Sequence, residues 1–380
     1  MAKKVLVALS GGVDSSTAAY LLKKQKLDLS AVYIKFYASN EKQAQIIDQE
    51  SQVAKKIAEA LQVPFFILDL AQEQKEWVID YLLNSYQHGL TPNPCIVCNK
   101  LLKFGRLLDW ANENGFSHLA TGHYAQIIYK NHELYLAAAK DKSKDQSYFL
   151  YQLEEKQLKQ LIFPLGLLTK TIVREIAKKA KLNHLKRESF DLCFLKDSNL
   201  RQFLADNIQE NPGEIVDQNG LVIGKHRGLA YYTIGQRRGL AINHQALKAS
   251  KAISYDKNQA PALLVLNKIP EKNRLVVAEK AASFVSEFII KELHFINNSQ
   301  QQVWQKKKHL YALVKIRNQG KLIPCQLKTN HQQILVKSQE KIFAPASGQS
   351  AVFYLETSTN LLVIAGAIID NEVEEPSNSD

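Results

Sequence analysis

Residues 8–17 read ALSGGVDSST, a stretch able to hold a phosphate. Gly11 and Gly12 precede Asp14, Ser15 and Ser16, and an apolar helical pattern follows at Ala18, Ala19, Leu21 and Leu22. A glycine turn feeding a helix start aims several backbone N–H groups at one spot, at the positive end of the helix, and so makes an anion site. Glycine suits the turn because a Cβ would hold the phosphate off the backbone. This is not the Walker loop, since Asp14 stands where the phosphate-binding lysine would be. The other reactive residues carry sulfur: Cys95 and Cys98 in TPNPCIVCN, Cys193 in FDLCFL, and Cys325 in IPC. A Cys-x-x-Cys reads as half a zinc site, a redox pair or a reactive thiol. Zinc needs further ligands at matching spacing, and the other candidates are distant in sequence. By residue type alone, Cys193 among Leu192, Phe194 and Leu195 reads as buried and inert.

These residues need elements to position them. The apolar run 5–9 before the glycine turn predicts a strand buried on both faces. Residues 1–70 read β-α-β-α-β, with strands over 29–36 and 65–69 and a helix over 42–61. That alternation predicts a parallel sheet covered by helices, with ligands at the carboxyl ends of the strands, where Ile34 lies. After a helix over 72–87, Pro92 and Pro94 interrupt regular structure, and a helix is expected to resume near Cys98. Its dipole would then lower the Cys98 thiol pKa. A short strand over 118–121 runs into Gly122, which permits close approach to a nucleotide, and His123. A hairpin follows, turning at Asn131-His132. The segment KDKSKDQSYF mixes cations, amides and aromatics, as nucleic-acid contacts do, and reads equally as a solvated charged loop. Residues 169–181 read as a basic helix.

The pattern changes after residue 199. Asn219-Gly220 is a hairpin turn. GKHRGLAYYTIGQRRGL forms a basic, glycine-rich β module. From 272 onward, short alternating strands predict a small antiparallel barrel. The acidic tail NEVEEPSNSD is expected to be disordered. The expected organisation is α/β: a catalytic domain over 1–198, a small β-rich central domain over 199–271, a barrel over 272–371 and the tail over 372–380. The chain has 380 residues and a net charge of +12. That excess favours a polyanionic partner such as nucleic acid. No apolar run approaches the ~20 residues of a membrane span. The N-terminus leaves no room for a signal peptide before the first strand, so the expected location is cytoplasmic.

SGGVDSS resembles the PP-loop of the ATP pyrophosphatases, which split ATP between its α- and β-phosphates. Taken with TPNPCIVCNKLLKFG, ATGHYA, KDQSYFLYQL, GLAYYTIGQRRGL and SGQSAVFY, the chain is similar, along nearly its whole length, to the tRNA-specific 2-thiouridylases. The resemblance implies a PP-loop domain, a central domain and a C-terminal β-barrel. It implies a tRNA substrate whose wobble uridine exchanges its 2-oxygen for sulfur, with ATP and Mg²⁺, and a sulfur-donor protein such as a cysteine desulfurase or sulfur-relay protein. It assigns Cys98 as nucleophile and Cys193 as persulfide carrier, with a disulfide between them after sulfur release. It places Ala8, Leu9, Ser10, Gly11, Gly12, Val13, Asp14, Ser15, Ile34 and Gly122 at ATP. It places Asn93, Pro94 and Cys95 at the target base. Lys144, Asp145, Gln146, Arg317 and Asn318 match tRNA contacts, and His123 and Gln349 match positions important for them. Many relatives carry aspartate where this chain has Cys95, so the acid–base role of that aspartate does not transfer. A second reading has Cys95, Cys98 and Cys193 holding an iron–sulfur cluster. Two rival functions remain: a PP-loop enzyme amidating a small molecule, and a non-enzymatic RNA-binding protein. Neither uses the phosphate loop, the charge and the cysteines together.

Overall fold

The computed structural model describes residues 3–182, 192–195, 199–254, 261–330 and 333–371; the acidic tail lies outside them. The first domain is built on β1 (Lys4–Ala8), α1 (Val13–Lys24), β2 (Asp28–Lys35), α2 (Glu41–Ala60), β3 (Phe65–Asp69), β4 (His118–Ala120) and β7 (Leu161–Ile162). Its five strands are all parallel, in the order β3-β2-β1-β4-β7. In β1, Val5, Leu6 and Val7 are fully buried. Alternation sends Leu6 into the core on one face of the sheet and Val5 and Val7 into the core on the other. Each such side chain contributes about 1.5–3 kcal/mol on burial. The chain runs outward from β1 to β3, then returns to place β4 on the other side of β1. The crevice between β1 and β4 is therefore the switch point, where ligands of such sheets bind.

The hairpin β5 (Ala125–Lys130) and β6 (Glu133–Ala138) leaves this sheet. It turns at Asn131 and His132, both at positive φ, and β6 pairs with β18 (Leu361–Ile369). Six antiparallel strands make the C-terminal barrel: β13 (Phe284–Phe295), β14 (His309–Lys315), β15 (Ile323–Asn330), β16 (Gln333–Phe343), β17 (Ser350–Glu356) and β18. The pairing of β13 with β18 closes it. Val352 and Tyr354 of the barrel share a core with Leu6 and Phe104, so barrel and first domain pack as one body there.

The central sheet has the order β10-β9-β8-β12-β11, from β8 (Gly213–Val216), β9 (Val222–His226), β10 (Ala241–Ile242), β11 (Leu263–Ile269) and β12 (Arg274–Glu279). The expected hairpin over Asn219-Gly220 joins β8 to β9, with Gly220 at φ +82°. One boundary differs from expectation. Strand β12 pairs with β8 and β11, so it belongs to the central sheet and the barrel begins at β13. Alternation along β12 marks it as a strand but cannot say which sheet it joins.

Candidate active site

The phosphate loop occupies the switch point. Gly11 turns the chain at φ +77°. Gly12 is the N-cap of α1 and offers no side-chain cap, so the first N–H groups of the helix are left for another acceptor. The Ser15 hydroxyl draws the loop closed, accepting from Ser10 N at 3.1 Å and lying 3.1 Å from Ser10 Oγ. Gly122, just beyond β4, crosses the first turn of α1. A Cβ there would lie 2.8 Å from Ser15 N. The close approach expected of Gly122 is thus to the phosphate loop itself. Asp14 is held by Lys170 Nζ at 2.7 Å and by the Tyr124 hydroxyl at 2.8 Å. Burial, reinforced by the Asp14 charge, pushes the Tyr124 pKa upward, so it remains a donor.

A cavity of about 380 Å³ opens beside the loop, a size suited to a small ligand. Ala8, Leu9, Ser10, Gly12, Asp14 and Ser15 form one wall, joined by Ile34 of β2 and by Gly122 and His123 beyond β4. Gly11 and Val13 are not on the wall. Pro94, Cys95 and Cys98 face it from the short helix Pro94–Cys98, and Cys193 closes it from a separate segment. The structure therefore brings the phosphate loop and three cysteines into one space. The four cysteines form no disulfide. Among the described residues, no group of three or more His, Cys, Asp or Glu side chains is placed to hold a metal ion.

The cysteine helix starts earlier than expected. Asn93 is its N-cap and Pro94 its first residue, because proline at that position gives up only an N–H that has no partner in the helix. The chain continues through a π-helical stretch, Asn99–Arg106, into the helix Leu107–Glu113. Cys95, not Cys98, thus occupies the first turn. The expected lowering of the Cys98 pKa does not occur: burial pushes it up to about 12, while the nearby Lys103 ammonium opposes that rise. Cys193 also departs from expectation. It lies exposed on a turn, its sulfur accepting from Gln74 Nε2 at 3.5 Å, while Phe194 and Leu195 beside it are buried. His123, between Phe104 and Phe163, is kept neutral first by burial and then by Lys103.

The remaining residues divide between cavity and surface. Gln146 is on the cavity wall, its Oε1 accepting from Tyr124 N. Asp145 is 4 % exposed, and its carboxylate is taken up by Ala139 N, Ser147 N, Ser147 Oγ and, at 3.8 Å, Lys315. It braces its loop from inside instead of facing a polyanion. Lys144 is half-buried on the same loop, which meets the barrel where Gln319 Nε2 donates to Ser143 O. Arg317 is exposed there, donating to Ala344 O, and Asn318 is half-buried beside it. The half-buried Gln349 lies in the barrel segment whose Ser347 carbonyl accepts from Thr91 N, two residues before Asn93. Arg237 and Arg238 are exposed on the central domain. The sequence assigned no chemistry to Asn99, Lys103 or Lys170. The first two sit inside TPNPCIVCNKLLKFG, where spacing from Cys98 along a helix was the available signal.

Three family models cover the chain in order: the tRNA methyl transferase HUP domain over residues 3–197, the tRNA methyl transferase PRC-barrel domain over 201–279 and the aminomethyltransferase beta-barrel domain over 285–369. The chain is 38% identical to the tRNA-specific 2-thiouridylase MnmA 1 of Fusobacterium nucleatum, over 97% of this chain and 93% of that one. It is 37% identical to the protein of the same name from Clostridium tetani, over 98% of both. Among solved structures, the NMN synthetase of Francisella tularensis aligns at 17% identity and a TM-score of 0.32, over 53% of this chain and 72% of that one. The models and the relatives differ in the reaction their descriptions name. Methyl transfer has no use for a phosphate loop joined to a cysteine pair, whereas exchange of oxygen for sulfur uses both.

Proposed function

The chain belongs to the tRNA-specific 2-thiouridylase family, and from that premise we propose how its cavity divides the work of ATP-dependent 2-thiolation of the wobble uridine. The observation that carries the reading is the shared cavity, with the phosphate loop on one wall and Cys98 and Cys193 on others. A pyrimidine carbonyl oxygen is a poor leaving group. Transfer of AMP from ATP onto the uracil 2-oxygen, with release of pyrophosphate, makes it a good one. The N–H groups at the start of α1, with Ser10 and Ser15, hold the phosphates. Of the two carboxylates on the wall, Asp14 has both oxygens held by Lys170, so Glu50 together with the phosphate oxygens would hold Mg²⁺. When bound, it would neutralise phosphate charge.

Sulfur arrives on Cys193 as a persulfide, whose exposed turn suits it to meet a donor protein. The terminal sulfur attacks C2 and AMP departs with the oxygen. The Cys98 thiolate then attacks Cys193 Sγ, breaking the S–S bond, leaving sulfur on the base and forming a Cys98–Cys193 disulfide. An external dithiol returns both to thiols. The uridine leaves its stack to reach the cavity, and Asn93, Pro94 and Cys95 meet it. Lys144, Gln146, Arg317, Asn318 and Gln349 bear on the tRNA from the two loops and the barrel segment around the helix, with Asp145 bracing one of them. A tRNA substrate makes the cytoplasm the expected place of the reaction. Among the described residues no helix is long and apolar enough to cross a membrane. The test is nucleoside analysis of tRNA incubated with the protein, ATP, Mg²⁺ and a sulfur source. 2-Thiouridine at the wobble position, with AMP formed only when tRNA is present, is the expected result. ADP as the tRNA-dependent product would contradict it.

A further inference from the structure

Asn99 follows Cys98 directly, is 3 % exposed and lines the cavity. Its Nδ2 donates to the Phe149 carbonyl at 3.2 Å. A carbonyl only accepts, so the amide cannot be turned round, and Oδ1 must point away from Phe149. That oxygen is buried and has no hydrogen-bond partner. Of the described buried polar atoms left without a partner, it alone belongs to a residue of this cavity wall. An unpaired buried acceptor is destabilising, because it has given up water without gaining a partner. The cost is recovered when a ligand brings a donor.

The chemistry identifies that donor. A base that offers C2 to the cysteines presents N3 at the adjoining ring position. In uracil N3 carries a hydrogen; in cytosine it carries a lone pair, which would face Oδ1 repulsively. Phe149 also lines the cavity, so the residue fixing the amide adjoins the same space. We propose that Asn99 Oδ1 accepts the N3–H of the target uracil and so selects uracil over cytosine before adenylation. This rests on the thiolation reading above.

The experiment measures kcat/KM for tRNA-dependent AMP formation, in the presence of ATP, Mg²⁺ and the sulfur source, with three otherwise identical tRNAs bearing uridine, cytidine or 3-deazauridine at the wobble position. The last keeps the reacting 2-carbonyl and replaces N3–H by C–H. The wild-type chain should lose about 10- to 100-fold from uridine to 3-deazauridine and more with cytidine. In Asn99→Leu, shown to be folded by its circular dichroism, uridine should fall to the 3-deazauridine level and the difference should shrink to less than about threefold. Equal use of uridine and 3-deazauridine by the wild type, which needs no variant, would overturn the inference. So would full discrimination retained in Asn99→Leu. If the wild type forms no AMP with the uridine tRNA, the thiolation reading itself has failed, and this inference with it.

Discussion

Cys98 and Cys193 reach one cavity from opposite kinds of structure. Cys98 is 4 % exposed on a helix whose Phe104 and Leu107 enter the main core. Cys193 is exposed on a turn, anchored by the buried Phe194 and Leu195 on one side. Burial keeps Cys98 protonated, and Lys103 is the charge that works against it. The contrast separates two needs of sulfur transfer. A carrier thiol must be reachable by a donor protein, whereas the thiol that cuts the persulfide should stay unreactive until base and persulfide are both in place. A helix in the core meets the second need and an exposed turn the first.

The sharpest way to break the comparison is to remove each thiol. Cys98→Ser and Cys193→Ser should each lower thiolation by about 10⁴-fold or more, while AMP transfer to tRNA stays within about threefold. Cys98→Ser should still take labelled sulfur from a donor; Cys193→Ser should take none. Label on Cys98 with none on Cys193 would exchange the roles, and equal label on Cys95 would bring that residue into the mechanism.

A second measurement compares alkylation by iodoacetamide. Only the thiolate reacts, so the rate at Cys98 should climb about tenfold per pH unit, roughly 10³-fold from pH 8 to 11, without levelling off before about 12. Cys193, being exposed, should react first at every pH in that range. The sign for stability follows. A raised pKa means the folded state holds the proton more tightly, so the stabilisation is complete below the unfolded thiol value of about 8.5 and is lost as pH rises toward 12. Mass spectrometry that found Cys98 modified as fast as Cys193 at pH 8 would remove the contrast.

A smaller effect is expected away from the cavity. Arg237, Arg238 and Arg317 are exposed cations on the central domain and the barrel. Replacing all three by alanine should weaken tRNA binding about tenfold and lower the salt slope by about 0.7–0.9 for each phosphate no longer neutralised. Unchanged affinity and slope would move the tRNA surface elsewhere. The smallest effect belongs to Cys325. It is as buried as Cys98, and burial raises its pKa to the same value of about 12, yet it lies on β15 outside the cavity. Cys325→Ser should leave thiolation unchanged and cost about 1 kcal/mol in thermal unfolding. A loss of thiolation there would mean that burial, not position in the cavity, distinguishes Cys98.

The amino-acid sequence by itself determined the local geometry. A glycine able to take φ +77° before an uncapped helix leaves N–H groups that suit an anion, and an apolar run such as Val5-Leu6-Val7 suits a strand with both faces covered. The β-α-β alternation led to the parallel sheet, and the alternating strands to the barrel. Tertiary structure decided what depends on neighbours distant in sequence. It brought Cys193 to Cys98, put β12 into the central sheet, turned Asp145 inward and left Asn99 Oδ1 without a partner. It also reversed the expected shift at Cys98, since a helix start can be read from residue types but the desolvation of a thiol cannot. Backbone preference is a property of a few consecutive residues, whereas burial, and the electrostatics that follow from it, are properties of everything packed around them.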